Sequence, residues 1–254
     1  MLLTVAYDGR PFAGFAPQPA QRTVAGELLG ALQAIDPRIG EIRGASRTDA
    51  GVHALDQRVS FDASRDFPVE AWTHGTARHL PDELAIRAAW SVAAGYDPRS
   101  HSRAKTYRYD LVADPRRDPF VVGRAWRLPD LASDGAIERA QKEAALAVGE
   151  HDFAAFRGAL DQRTNTVRRL SRVELVRSAT DPRLVSVFVR GDAFLYNMVR
   201  ILVGAIVDVG RNRLAPGAIS RALASKDRRD LGITAPPDGL YLERYELDDD
   251  ASRG

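Results

Sequence analysis

From Gly44 to His53 the chain reads Gly44-Ala45-Ser46-Arg47-Thr48-Asp49-Ala50-Gly51-Val52-His53, which places an arginine, an aspartate and a histidine within seven positions. An ionised carboxylate there can attack an electrophilic carbon or take a proton. An arginine beside it can grip a phosphate through its planar fork of donors. A plainer reading stays open, because an aspartate in such a segment is also an ordinary turn residue that caps its own backbone. Glycines on both sides, Gly44 and Gly51, point to close backbone approach or positive φ. Asp49 and His53 also invite a metal or acid/base reading. No third ligand stands at a recognisable spacing, however, and the five histidines form no His-x-x-x-His pair, so no metal is expected.

Other residues with chemical potential lie further along. Tyr107, in Tyr107-Arg108-Tyr109, reads by itself as a strand tyrosine packed in a core. Arg200 falls on the polar side of an apolar helix, either as part of a solvated face or as a buried guanidinium that needs a counter-charge. Basic clusters occur at Arg99, Arg103 and Lys105, at Arg163, Arg168, Arg169 and Arg172, and at Lys226, Arg228 and Arg229. Each alone is a solvated face; together on one side of a cleft they would grip the phosphates of a folded RNA.

The elements that must position these residues follow from pattern. Residues 2–7 predict a strand ended by Asp8-Gly9. Thr23 is a helix N-cap, with Val24, Leu28, Leu32 and Ile35 on one face before Asp36-Pro37 stops the run. A short strand over Ile39–Gly44 leads into the Asp49 loop, a period-two strand follows to Phe61, and a helix over Pro68–His79 precedes a strand over Glu83–Val92. The order is β-α-β-β-α-β. The second half reads similarly: strands at 104–113 and 120–128, a helix at 134–148, and strands at 166–177 and 184–190. A helix over 194–209 carries Asn197, Arg200, Gly204 and Asp208 opposite its apolar stripe, with Gly210 as C-cap. A short helix at 217–224 and a strand at 239–246 complete it. The expected divisions are 1–103, 104–247 and a frayed tail over 248–254.

Composition bounds the classes. The 254 residues carry 36 basic and 34 acidic side chains, a formal charge of +2, so a polycationic nucleic-acid coat is excluded and any such site is a local patch. With no cysteine there are no disulfides, thiolate metal sites or cysteine nucleophiles, which is compatible with a reducing compartment. No basic segment followed by a long apolar stretch opens the chain, and no uncharged apolar run approaches the roughly 20 residues of a membrane helix. The expectation is a cytoplasmic protein without a membrane.

GASRTDAGVHA closely resembles the signature of the TruA family of tRNA pseudouridine synthases. Ordered matches continue through YDGRPFAGF, DPRSHSRAKTYRY, HDFAAFR with TNTVRRL, DAFLYNMVRILVGAIVDVGR and SKDRRDLGITAPPDGLYL. The resemblance implies the pseudouridine synthase fold, an α+β architecture of two ferredoxin-like βαββαβ halves joined into one mixed, mainly antiparallel sheet with a central cleft. It implies isomerisation of uridine to pseudouridine at positions 38, 39 and 40 of the tRNA anticodon stem-loop, without metal or organic cofactor, by a homodimer whose tRNA lies across both subunits. Asp49 is then the nucleophile or the base at the sugar, and Tyr107 stacks on the target base. Arg200 is the basic partner of the aspartate, and Arg47 fills or holds the space left by a flipped-out uridine. Leu240 and Leu242 match apolar residues near the base pocket, Leu242 as its preferred wall. Arg99, Lys105 and Arg168 are assigned to substrate binding.

This sequence departs from the family pattern at Gly14-Phe15-Ala16-Pro17-Gln18, where a Gly-Trp-Gln-x-Gln stretch is usual, and at Ala77-Arg78-His79 before Leu80-Pro81. Tyr196-Asn197 also differs from the usual residues. Two rival readings are an RNA-binding scaffold without catalysis and a metal-dependent phosphoester hydrolase built on Asp49 and His53.

Overall fold

A computed structural model describes residues 1–248, so all of the tail expected to fray except Asp248 lies outside the described residues. In chain order the elements are β1 (Leu2–Tyr7), α1 (Val24–Ile35), β2 (Arg43–Gly44), β3 (His53–Ser60), β4 (Leu84–Trp90), β5 (Ser102–Val112), β6 (Trp126–Arg127) and α2 (Ala136–Ala145). There follow β7 (Gly149–Asp152), β8 (Val167–Arg177), β9 (Leu184–Gly191), α3 (Met198–Gly210), α4 (Ala218–Ser225) and β10 (Leu240–Leu247). The class is α+β with mainly antiparallel strand pairing. Two compact units divide the chain: Met1–Lys105 with the chain from Tyr241 onward, and Thr106–Leu240. The last strand, placed by chain order in the second half, therefore counts almost wholly with the first.

In the first unit every residue of β1 is buried, which is why it is a nearly continuous apolar run, interrupted at Thr4, rather than an alternating one. β1 pairs antiparallel with β3 and β4, and β2 pairs antiparallel with β3, giving the order β4-β1-β3-β2 of a ferredoxin-like unit. β2 is shorter than the strand expected over Ile39–Gly44, because the Ile39 N–H closes a turn on the Asp36 carbonyl at 3.1 Å and the side chain is buried there. β2 covers only the end of β3, at Val59 and Ser60, and leaves the start of β3 to another partner. β10 takes it in parallel, with Tyr241 opposite His53 and Leu242 opposite Ala54. The Asp49 loop runs between these two pairings.

Helix α1 begins as its sequence dictates: the Thr23 hydroxyl accepts the Gly26 N–H at 3.2 Å, and Val24, Leu28 and Leu32 are buried. The helix expected over Pro68–His79 is shorter and has a wide turn over Ala71–Gly75. The wide turn seats Trp72, wholly buried, edge-on to Phe61 and Phe67 at ring separations of 5.0 and 5.7 Å.

The second unit has the strand order β5-β9-β8-β7, with β6 parallel to β5. Of the strand expected over 120–128 only Trp126–Arg127 forms, since Gly123 turns the preceding chain at φ +72°. β7 is an edge strand that the sequence pattern did not reveal. Helix α2 packs against α3 and β8. Helix α3 starts at Met198 rather than 194, because Asn197 sits in the left-handed region at φ +60°. Its polar side does not face water: all its residues except Arg200 are buried. Gly204 lies so close to the 231–235 segment that a Cβ would stand 1.8 Å from the Ile233 carbonyl oxygen.

Candidate active site

The Asp49 loop is fixed to its own unit by polar groups distant in sequence. The Gln57 amide brackets Ser46, accepting its N–H at 3.1 Å and donating to its carbonyl at 2.7 Å. The Tyr7 hydroxyl meets Thr48 Oγ1 at 2.7 Å. The Phe15 N–H donates to the Thr48 carbonyl at 3.0 Å, and the Val52 N–H closes a turn on the Asp49 carbonyl at 3.1 Å. Both expected glycine roles occur. Gly44 lies against the Phe15 ring, where a Cβ would come within 2.1 Å, and Gly51 has φ +80°. Phe15 thus fills a place beneath the loop where the family pattern departs. Ser46 and Thr48 are buried, Arg47 between them is exposed, and Asp49 is half-buried.

His53 is occupied structurally. Its ring is buried and stacks on Tyr241 at 4.5 Å, Nδ1 accepts the Gly9 N–H at 3.1 Å, and the Asp8 carboxylate lies 3.3 Å from the same nitrogen. Asp8 is in turn held by Arg10, with Nη2 to Oδ2 at 2.5 Å. Burial alone would raise the Asp8 pKa; the hydrogen bonds from Arg10 outweigh it and hold the group at about 2. Among the described residues no group of three or more His, Asp or Glu side chains could hold a metal ion.

In the second unit, Tyr107 is buried on β5 with its ring edge-on to Phe194 at 5.0 Å. Arg200 donates from Nε to the Ala235 carbonyl at 2.8 Å and from Nη1 to Asn197 Oδ1 at 2.9 Å. It is therefore a packed guanidinium and not part of a solvated face. Asn197 owes its left-handed backbone and its contact with Arg200 to one tight turn ahead of α3. Nearby, the Tyr109 hydroxyl donates to the Pro236 carbonyl at 2.7 Å, and burial raises that phenol's pKa.

Arg47 and Asp49 share one loop, whose exit into β3 runs beside Leu242, wholly buried on β10. Leu240 is buried too. Arg99 and Lys105 belong to the same unit: Arg99 is exposed and paired with Asp97, and Lys105 stands 5.2 Å over the Tyr245 ring. Tyr107, Arg168 and Arg200 belong to the second unit. Arg168 donates to the carbonyls of Asn165 and Val167 at 3.1 and 2.6 Å.

A family model described as tRNA pseudouridine synthase matches residues 144–248. The tRNA pseudouridine synthase A of Geotalea uraniireducens (strain Rf4) is 38% identical over 240 residues, covering 94% of this chain and 96% of its own. That of Staphylococcus aureus (strain Newman) is 35% identical over 249 residues, covering 98% and 91%. The chain belongs to the TruA family of tRNA pseudouridine synthases. Among solved structures, a chain of a Cbf5-Nop10-Gar1 complex is similar at a TM-score of 0.40 and 12% identity, over 98% of this chain and 51% of that one.

As a member of this family the synthase is an isomerase of tRNA uridine. Sequence reasoning missed what holds its signature loop, namely Tyr7, Phe15, Thr48 and Gln57. Tyr7 and Phe15 lie inside the YDGRPFAGF match, so the signal was present as a second ordered block, but nothing in either block's spacing says that the two touch. No helix among the described residues is long and apolar enough to cross a membrane.

Proposed function

We propose that the synthase isomerises uridines 38, 39 and 40 of the tRNA anticodon stem-loop, with Asp49 as the group that acts at the sugar. The observation that carries this reading is the placement of Asp49: half-buried, between two buried residues' worth of anchored backbone and the turn closed by Val52, on a loop fixed at Ser46 and Thr48. A reacting group gains most from such a mounting.

The reaction leaves the formula unchanged. The C1′–N1 bond breaks, a C1′–C5 bond forms, the hydrogen on C5 leaves as a proton and N1 gains one. As a nucleophile, the Asp49 carboxylate attacks C1′ as uracil departs through N1, and is expelled when C5 of the rotated base attacks the same carbon. As a base, it takes a proton from the ribose carbon beside C1′ while uracil departs, and returns it after C5 has joined C1′. Either route needs an ionised carboxylate. Tyr107 offers a ring for the base to stack on, Arg200 supplies the cation that favours the ionised form of Asp49, and Leu242 forms an apolar wall of the base pocket. Arg47, exposed beside Asp49, takes the space of a uridine flipped from its stem. Arg99, Lys105 and Arg168 hold phosphates, and the working form is a cytoplasmic homodimer with each tRNA across both subunits.

The test is incubation with unmodified tRNA transcripts, without added metal, and mapping of pseudouridine by carbodiimide-dependent reverse-transcription stops. Stops at 38–40 with the wild type, and none with Asp49→Asn at equal tRNA binding, are expected. Stops elsewhere, or an active Asp49→Asn, contradict the reading.

A further inference from the structure

Beneath the Asp49 loop lies a polar group that the reaction does not use and the core does not require. Tyr7, Ser46, Thr48 and Gln57 are all buried, Gln57 completely. Tyr7 and Gln57 come from adjacent strands, β1 and β3, and reach the loop over 41 and 11 residues of chain. Gln57 also donates to the Tyr7 hydroxyl at 3.4 Å, so the three contacts form one connected network from strand pair to loop. Apolar side chains of the same size would fill this space without the cost of burying amide and hydroxyl groups. What hydrogen bonds add is direction and register, since each fixes a donor against one acceptor.

The strand pairing makes a second, independent point. β1 and β3 run in register from Leu2 opposite Ser60 to Val5 opposite Gln57, but Tyr7 then stands opposite Ala54, one residue beyond the regular partner. The irregularity lies between the two residues that hold the loop. A bulge at that place turns a side chain out of the regular alternation, and such bulges recur beside active sites.

We infer that Tyr7 and Gln57, acting through Thr48 and Ser46, are positioning residues that set the Asp49 carboxylate for attack. Tyr7 carries the more specific share, because its hydroxyl bonds the side chain directly preceding Asp49. This rests on the reading of Asp49 as the reacting group. Tyr7→Phe removes one oxygen and keeps the ring, while Thr48→Val removes the matching hydroxyl and keeps the shape.

The experiment measures pseudouridine formation in tRNA transcripts by wild type, Tyr7→Phe, Thr48→Val, the double variant and Thr48→Ser, with Asp49→Asn alongside. For each, kcat, KM, tRNA Kd and Tm are read. Tyr7→Phe and Thr48→Val are each expected to lower kcat about 10- to 100-fold, the range that small misplacements of reacting groups reach. KM and Kd should stay within about twofold, the double variant should be no worse than the poorer single one, and Thr48→Ser should restore most of kcat. Single variants with kcat within twofold of wild type, losses that multiply in the double variant, or losses that appear in KM or follow Tm would overturn the inference. An active Asp49→Asn removes the group being positioned and overturns both readings. An inactive Asp49→Asn with an unimpaired Tyr7→Phe overturns this one alone.

Discussion

Around Asp49, polar groups reach across the chain: Tyr7 to Thr48 and Gln57 to Ser46. In the surface turns they reach two residues. Asp8 and Arg10, Asp97 and Arg99, Asp114 and Arg116, Asp161 and Arg163, Asp181 and Arg183, and Asp227 and Arg229 repeat one device, in which the aspartate accepts the arginine's backbone N–H and its guanidinium together. The first construction mounts a loop on a sheet and depends on the fold. The second closes a turn within three residues of chain at each of these Asp-x-Arg stretches. The contrast teaches how to weigh basic residues: an arginine in such a clamp already faces a carboxylate, so a count of charges along the sequence overstates what remains for phosphate. Arg99, Arg163 and Arg229 are clamped in this way, whereas Arg168 donates to main-chain carbonyls.

The contrast can be broken at several points. The largest effect is expected from Arg200→Ala, which removes donors from the Ala235 carbonyl and Asn197 and takes away the proposed cationic partner of the reaction. Pseudouridine formation should fall by roughly 10²–10³-fold, as when a preorganised donor is lost, and Arg200→Lys should rescue little because an ammonium lacks the planar fork. Rate measurements on tRNA transcripts at saturating enzyme check it. Next, Gly204→Ala forces a methyl group against the Ile233 carbonyl. The cost should be roughly 3 kcal/mol, seen as a Tm lowered by roughly 6–12 °C.

A milder perturbation separates the clamp from the mount. Asp8 has its folded pKa depressed from 3.8 to about 2, so its ionised form stabilises the folded chain at neutral pH, and that contribution fades as pH falls from about 4 to about 2. The Tm difference between wild type and Asp8→Asn should therefore be constant above about pH 5 and shrink through that window. A difference that grows instead would show that the clamp does not hold the carboxylate ionised. The smallest effects concern phosphate contacts. Arg168→Ala should weaken tRNA binding several-fold and reduce the salt slope by about 1, while Arg99→Ala, with its charge already faced by Asp97, should change the slope less. Filter binding at several salt concentrations measures both.

Much of this architecture was legible in the chain. β1 and α1 begin and end where Asp8-Gly9, Thr23 and Asp36 place them, because strand burial and helix capping are local. β7 was not legible, since Gly-Glu-His-Asp has no apolar alternation and becomes a strand only by pairing with β8. Helix α3 was found by its stripe, but the pattern left its polar side open between a solvated face and a buried guanidinium, and only the fold puts Arg200 and Asp208 under the chain that returns at 231–235. The site divides the same way. Asp49 stands in a motif that can be quoted from the sequence, while its anchors Tyr7 and Gln57 are ordinary strand residues until β1 and β3 pair.

The central claim is that Asp49 performs the chemistry and is not needed to hold tRNA. Because the C5 hydrogen must leave, tRNA transcribed with [5-³H]uridine releases tritium as each base is isomerised. Single-turnover release should be rapid with the wild type and at least about a thousandfold slower with Asp49→Asn at the same tRNA Kd. Release by Asp49→Asn at a rate near that of the wild type, or a lost rate explained by lost binding, would contradict the account.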